Sequence, residues 1–222
     1  MDRDAEAAIE AALAEFAGLP KRTIPALRAV RRRLSARLAA AEPADVLLAA
    51  HRLIVSGERW MAYELVGTHG AAMASLGIAE VEALGSGMGR WEDTDIFGPY
   101  VAGPAWRLGR IGDEDVRRWT ESPDRWWRRA ALVATTSLNL KSKGATGDTA
   151  RTLDIARRLA ADRDDMVVKA VSWALRLLAR WDAEAVRGFI ASEPVAPRVR
   201  REVGNKLATG RKNPKSRRPE AA

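Results

Sequence analysis

The chain contains no cysteine and only two histidines, His51 and His69, among its 222 residues. The first absence excludes a disulfide framework, a thiol nucleophile and thiolate metal ligation. The second, with no ligand spacing between the two histidines, argues against a zinc or di-iron site. No metal and no cofactor are therefore expected. Runs of β-branched residues are scarce, and proline (10) and glycine (17) are too few for a disordered or fibrous body. No uncharged apolar stretch approaches the roughly 18 residues that a membrane helix needs. The opening Met1-Asp2-Arg3-Asp4-Ala5-Glu6 is acidic where a secretory signal is basic and then apolar. The expectation is a soluble, cytoplasmic protein with no membrane partner. Gly85-Ser86-Gly87-Met88-Gly89 lacks the Lys-Ser/Thr of a phosphate loop and follows no strand pattern, so it reads as a connector. No nucleophile elbow is present.

What the chain does have is alanine, leucine, arginine and glutamate, all good helix formers. Apolar residues recur at spacings of three and four, as in Val46, Leu47, Ala50, Leu53 and Ile54, which is helical periodicity. The fold class read from this is all-α. Gly/Pro/Asp breaks predict helices over 3–17, 24–40, 44–55, 58–68, 78–84, 92–107, 113–120, 124–138, 148–161, 164–181, 183–191 and 197–208. One domain is expected over 1–208. From about Thr209 the segment Gly210-Arg211-Lys212-Asn213-Pro214-Lys215-Ser216-Arg217-Arg218-Pro219 lacks apolar residues and reads as a basic, disordered tail. The formal net charge of +8 points to a polyanionic partner through counterion release; a genome that favours arginine codons is the competing account.

The segments Glu58-Arg59-Trp60-Met61, Asp124-Arg125-Trp126-Trp127 and Asp164-Asp165-Met166-Val167 share a register, and Arg90-Trp91 falls into it. The aromatic or methionine position then recurs at 60, 91, 126 and 166, with gaps of 31, 35 and 40 residues. Helix-pair repeats of that length predict an α-solenoid of antiparallel helix pairs, HEAT-like, with a concave basic groove.

Within that register, Trp91 is followed by Asp95 four residues later, one helical turn away on the same face. An aromatic plane beside an anionic acceptor suits a ligand that carries or develops positive charge. A lone tryptophan in a helical repeat is more often core, and Trp60, Trp106 and Trp126 are read so; Trp119 and Trp181 are expected at repeat edges. For Asp95 the residues alone leave a helix cap and a site residue equally open; Asp93 is the expected cap.

With the repeats placed, the chain resembles the AlkD-type DNA alkylation repair family, glycosylases built from HEAT-like repeats, over roughly residues 10–208. The resemblance rests on Gly18-Leu19-Pro20 with Ile24-Pro25-Ala26-Leu27-Arg28, on Glu58-Arg59-Trp60-Met61-Ala62, and on the Trp-x3-Asp run Trp91-Glu92-Asp93-Thr94-Asp95-Ile96-Phe97-Gly98-Pro99-Tyr100. Trp127-Arg128-Arg129-Ala130-Ala131 and Lys169-Ala170-Val171-Ser172-Trp173-Ala174-Leu175-Arg176 complete it. It implies that Trp91 and Trp173 flank the lesion, that Asp95 is the catalytic carboxylate, and that Arg129 lies at the DNA backbone. Arg90 departs from the tryptophan that many relatives carry, and the loop Asn139–Asp148 is longer than usual.

The resemblance further implies excision of positively charged N3- or N7-alkylated purines from double-stranded DNA, without cofactor, by a monomer that is nucleoid-associated in a bacterial cytoplasm when on DNA. Arg128, Lys169 and Arg176 are candidate phosphate contacts beside Arg129, and Arg28, Arg31, Arg32, Arg198, Arg200 and Arg201 could extend a basic ridge. A non-catalytic DNA-binding relative and a helical-repeat adaptor are the competing classes.

Overall fold

The computed structural model describes residues 3–21 and 23–213, and these are all-helical: no strand occurs among them. The arrangement is consistent with an α-solenoid. Fifteen α-helices follow in chain order: α1 Arg3–Ala17, α2 Ile24–Arg37, α3 Pro43–Val55, α4 Arg59–Thr68, α5 Gly70–Ser75, α6 Ile78–Gly85, α7 Trp91–Phe97, α8 Gly103–Arg107, α9 Asp113–Thr120, α10 Arg125–Ala134, α11 Thr136–Asn139, α12 Thr149–Arg158, α13 Asp165–Leu178, α14 Ala183–Ser192 and α15 Pro197–Thr209. A π-helical turn, Gly98–Ala102, joins α7 to α8, and a 3-10 turn, Lys141–Lys143, follows α11.

Local chemistry sets most of these starts. Thr23, Asp124, Asp148, Asp164 and Asp182 each accept a backbone N–H from the first turn of the helix that follows. Prolines occupy the opening of α2, α3 and α15, where their missing N–H costs nothing. The interval expected as one helix over 92–107 is instead α–π–α. Pro99 has no N–H for the carbonyl four residues back, so the ladder widens by one residue. The short helix α5 was not expected; its Gly-Ala-Ala-Met-Ala-Ser composition reads as a connector, but the His69 imidazole Nδ1 caps it by accepting the Ala72 N–H at 3.0 Å.

The chain divides into two compact units, Met1–Val116 and Arg117–Ala222. In the first, α4 is the central helix. It packs on α2, α3, α5, α7 and the π turn, and Met61, Ala62, Tyr63, Leu65 and Val66 are fully enclosed. In the second, α13 holds that place against α10, α11, α12, α14 and α15. Each helix thus finds its partners among near neighbours in sequence, as a repeat stack requires.

Among the tryptophans, Trp106 is core as expected, its Nε1 donating to Asp113 at 2.8 Å. Trp119 is also core rather than edge, tilted against Trp127 at 5.1 Å. Trp60 and Trp126 are only half-buried. Both carry a polar obligation that keeps part of the ring at the surface: Trp60 Nε1 donates to Glu58, and the Arg125 guanidinium lies over Trp126 at 4.8 Å. The expected tail is folded at its root. Gly210 takes a left-handed φ of 72° after α15, Asn205 donates to the Lys212 carbonyl, and the Lys212 ammonium reaches Glu202 at 3.4 Å. The rest of that tail, residues 214–222, lies outside the described residues.

Candidate active site

Helix α7 starts at Arg90, whose extended backbone (φ −139°, ψ 158°) makes Trp91 the first helical residue. In the helices led by Arg59, Arg125 and Asp165 the matching aromatic or methionine is second. That offset of one residue turns Trp91 by about 100° relative to its counterparts. It stands 49% exposed, whereas Trp60, Trp126 and Met166 are half-buried. The buried side of α7 is formed by Thr94 and Phe97, and the Phe97 ring lies tilted against Tyr63 of α4, centroids 5.3 Å apart.

Asp93 is the cap, as expected. Its Oδ2 accepts the N–H groups of Gly89 and Arg90 at 3.0 and 3.2 Å. Asp95 accepts the Thr94 hydroxyl at 3.5 Å. Trp91 and Asp95 line one cleft of about 330 Å³, together with Ile24, Leu27, Trp60 and Ile96. The same lining carries four carboxylates, Glu64, Glu92, Asp93 and Asp95, and three guanidinium groups, Arg28, Arg59 and Arg90. Size and character fall at the small end of ligand-binding clefts.

Glu64 is the residue that the sequence reading passed over. It sits on α4 at 1% exposure, yet it carries a carboxylate. Arg31 holds Oε2 at 3.0 Å, and Arg28 lies at 3.4 Å from Oε1. Tyr100, on the π turn, is hydrogen-bonded to the same group, and burial together with the Glu64 charge raises its hydroxyl above the ordinary tyrosine range. A buried carboxylate is tolerated only when paired and hydrogen-bonded, and these three partners meet that condition. The signal was present: one acid inside an otherwise apolar helix, and two arginines three residues apart on α2.

Three further hydrogen bonds join Arg59, which lines the cleft, with Tyr63 and Leu84. Arg59 donates to the Tyr63 hydroxyl at 2.8 Å and to the Leu84 carbonyl at 3.1 Å, and Tyr63 donates to that carbonyl at 3.0 Å. Burial pushes the Tyr63 hydroxyl up to about 12, with Arg59 opposing. Gly67 lets α4 approach the π turn: a Cβ there would stand 2.4 Å from the Tyr100 carbonyl oxygen.

The other anticipated residues lie in the second unit. Trp173 is half-buried on α13. Arg129 is 5% exposed and donates to the Met166 carbonyl at the start of α13. Arg128 pairs with Asp162 at 2.8 Å and donates to the carbonyls of Ser122 and Pro123, fixing the turn into α10. Arg176 donates to Ser172, whose hydroxyl bonds Glu202 at 2.6 Å; burial pulls that guanidinium below its ordinary pKa, with Glu202 opposing. Lys169 is more open and pairs with Asp165 at 2.7 Å, and this hydrogen bond holds the Asp165 carboxyl below its usual range. Of the wider ridge, Arg198 reaches Asp165, and Arg200 bonds the carbonyls of Ile190 and Glu193. Much of the positive charge is therefore bound within the fold.

Among the described residues no helix is long and apolar enough to cross a membrane. A comparison with curated proteins found no match. The family model described as DNA alkylation repair enzyme matches residues 14–216, which covers most of both units and every residue of the cleft. The chain belongs to the DNA alkylation repair enzyme family.

Proposed function

We propose that the protein is a monofunctional DNA glycosylase that releases positively charged N3- or N7-alkylated purines from duplex DNA. The observation that carries this reading is the division of labour on α7. Asp93 caps the helix, and Asp95 lines a cleft together with the exposed Trp91 ring.

Alkylation at N3 or N7 gives the purine a formal positive charge and makes it a good leaving group. As the C1′–N bond breaks, its electron pair passes to the base and neutralises it, and positive charge builds on the sugar. Asp95 faces that charge as an acceptor and orients the water that adds at C1′. The water's proton passes to the Asp95 carboxylate and from there to solvent, and an abasic site remains. Trp91 favours the cationic lesion over neutral bases by cation–π attraction, about 1–2 kcal/mol where the contact is partly desolvated. Trp173 is proposed as a second ring contact and Lys169 as a phosphate contact. Arg128 and Arg176 keep free only that part of the guanidinium fork beyond the bonds they make within the fold. Arg129, the most enclosed of the three, fixes the start of α13. No metal or cofactor enters the scheme.

The test is release of free base from duplex DNA containing N7-methylguanine, for wild type and Asp95→Asn. Wild type is expected to release it, and the isosteric variant to lose at least ~10²-fold in rate while binding DNA as before. A wild type that binds duplex DNA and releases nothing would make the protein a non-catalytic reader of damaged DNA. Equal rates in both would remove Asp95 from the mechanism.

A further inference from the structure

The cleft that Trp91 and Asp95 line takes part of its lining from α2. Ile24, Leu27 and Arg28 contribute it at spacings of three and four, one stripe of that helix. Arg28 is the charged member of the stripe, and its side chain is 48% exposed. Its Nε lies 3.4 Å from Oε1 of Glu64, which is on the same lining and buried. Among the described residues the Arg28 guanidinium makes this ion pair and no hydrogen bond.

Glu64 does not need Arg28 for charge balance. Arg31, whose side chain is 15% exposed, holds Oε2 at 3.0 Å and donates through Nη1 to the Ser35 hydroxyl. Tyr100 is hydrogen-bonded to the same carboxylate. One carboxylate against two guanidinium groups leaves one unit of positive charge in excess, and Arg28 is the more open of the two. The other arginines of the lining differ. Arg59 is committed to the Tyr63 hydroxyl and the Leu84 carbonyl. Arg90 is paired within its own helix start, 3.8 Å from Asp93. Arg28 alone on this lining joins an anchor from another helix to a donor fork without a hydrogen bond among the described residues.

Glu92 and Asp95 on the same lining repel an approaching phosphodiester. A nucleic-acid strand lies against such a cleft only where a cation offsets that repulsion. The planar guanidinium fork meets two phosphate oxygens at once. Its ion pair with Glu64 already narrows the side chain's freedom, so less entropy is lost when the strand arrives. We propose that Arg28 binds a backbone phosphate of the damaged strand, at one of the two linkages that flank the lesion. This rests on the reading of the cleft as the place where the alkylated nucleotide meets Asp95, and it adds where the backbone is held.

The experiment measures binding to a duplex carrying a stable abasic-site analogue across a salt series, beside release of N7-methylguanine by the wild type. Arg28→Ala is expected to bind about tenfold more weakly at 0.1 M salt, with a slope of log affinity against log salt shallower by about 0.9, one phosphate contact. Arg28→Lys keeps the charge but not the fork, so its slope should match the wild type while its affinity falls between the two. Arg33→Ala is the control for net charge: it removes a cation of α2 that pairs with Glu15 off the cleft lining, and its slope should be that of the wild type. A structural role alone for Arg28 would lower the melting temperature and leave the slope unchanged. Replacing one linkage at a time by an uncharged methylphosphonate locates the contact. The wild type should lose affinity at a linkage flanking the lesion, and Arg28→Ala should not. An Arg28→Ala slope equal to that of the wild type, or a shallower slope shared by Arg33→Ala, overturns the proposal. So does an Arg28-dependent linkage two or more nucleotides from the lesion. A wild type that binds but releases no base refutes the glycosylase reading, while the slope and the linkage scan still decide the role of Arg28. Failure of the wild type to bind duplex DNA refutes both.

Discussion

Replacing Gly67 by alanine puts a methyl group where α4 and the π turn meet. The new Cβ would stand 2.4 Å from the Tyr100 carbonyl oxygen and 3.0 Å from Tyr100 Cβ and Cδ1, whereas ordinary contact begins near 3.4 Å. The crowding atom is backbone and cannot rotate away, so the two elements must separate by about 1 Å. Overpacking of this kind costs about 1–3 kcal/mol. Alanine returns roughly 0.5–1 kcal/mol through helix propensity, leaving a net loss of about 1–2 kcal/mol. For a chain of this length that lowers the melting temperature by about 2–8 °C. The shift also reaches Asp95, which lies one turn before Tyr100 on the continuous α7–π segment. A misplacement near 1 Å costs up to ~10² in rate. Thermal melting by circular dichroism and single-turnover base release measure the two effects. Gly188→Ala is the control: the added Cβ meets nothing within 4 Å on α14, so it should be neutral or stabilising. A Gly67→Ala protein that melts with the wild type would refute the close approach.

Glu64→Gln leaves Arg31 without its anion and should cost about 2–4 kcal/mol, near the low end for a broken buried pair because Arg28 can turn to solvent; an unchanged denaturant midpoint would show that the cluster is not needed for the fold. Asp93→Ala removes the acceptor for two N–H groups at the start of α7 and should cost about 1 kcal/mol, read as a lower urea midpoint at constant slope. Both tyrosines are raised, so absorbance at 295 nm should show less tyrosinate in the native protein at pH 10 than in the unfolded chain, which is half-ionised there. The sign follows: a group raised in the folded state contributes stability below about pH 10, and the Tyr63 contribution is lost as pH climbs toward 12. A native titration centred at 10 would contradict the burial of both hydroxyls.

Much of the helix pattern was legible in the sequence because its punctuation is local. Thr23, Asp124, Asp148, Asp164 and Asp182 announce helices within their own first turns. Trp91 and Asp95 were legible as a pair for the same reason, since four residues on a helix is a fixed geometry. What resisted reading depends on partners distant in sequence. The Asp162 carboxylate that holds Arg128 lies 34 residues away and could not be read beside it. Glu64 needs two arginines 33 and 36 residues away before a buried acid makes sense. Trp119 and Trp126 changed places between core and surface because one register cannot say which ring carries a charged neighbour.

The habit of each helix to pack on near neighbours in sequence has a temporal side. Translation at about 5–20 residues per second takes several seconds to make the first 116 residues, while helical domains rich in local contacts close in microseconds to milliseconds. The partners of α4 and α7 all lie within that stretch. The cleft holding Trp91 and Asp95 is thus able to form on the ribosome before α13 has been synthesised. Lesions in later segments that stall or misfold the second unit would then leave a first unit already shaped, a difference that truncation at stalled nascent chains would expose.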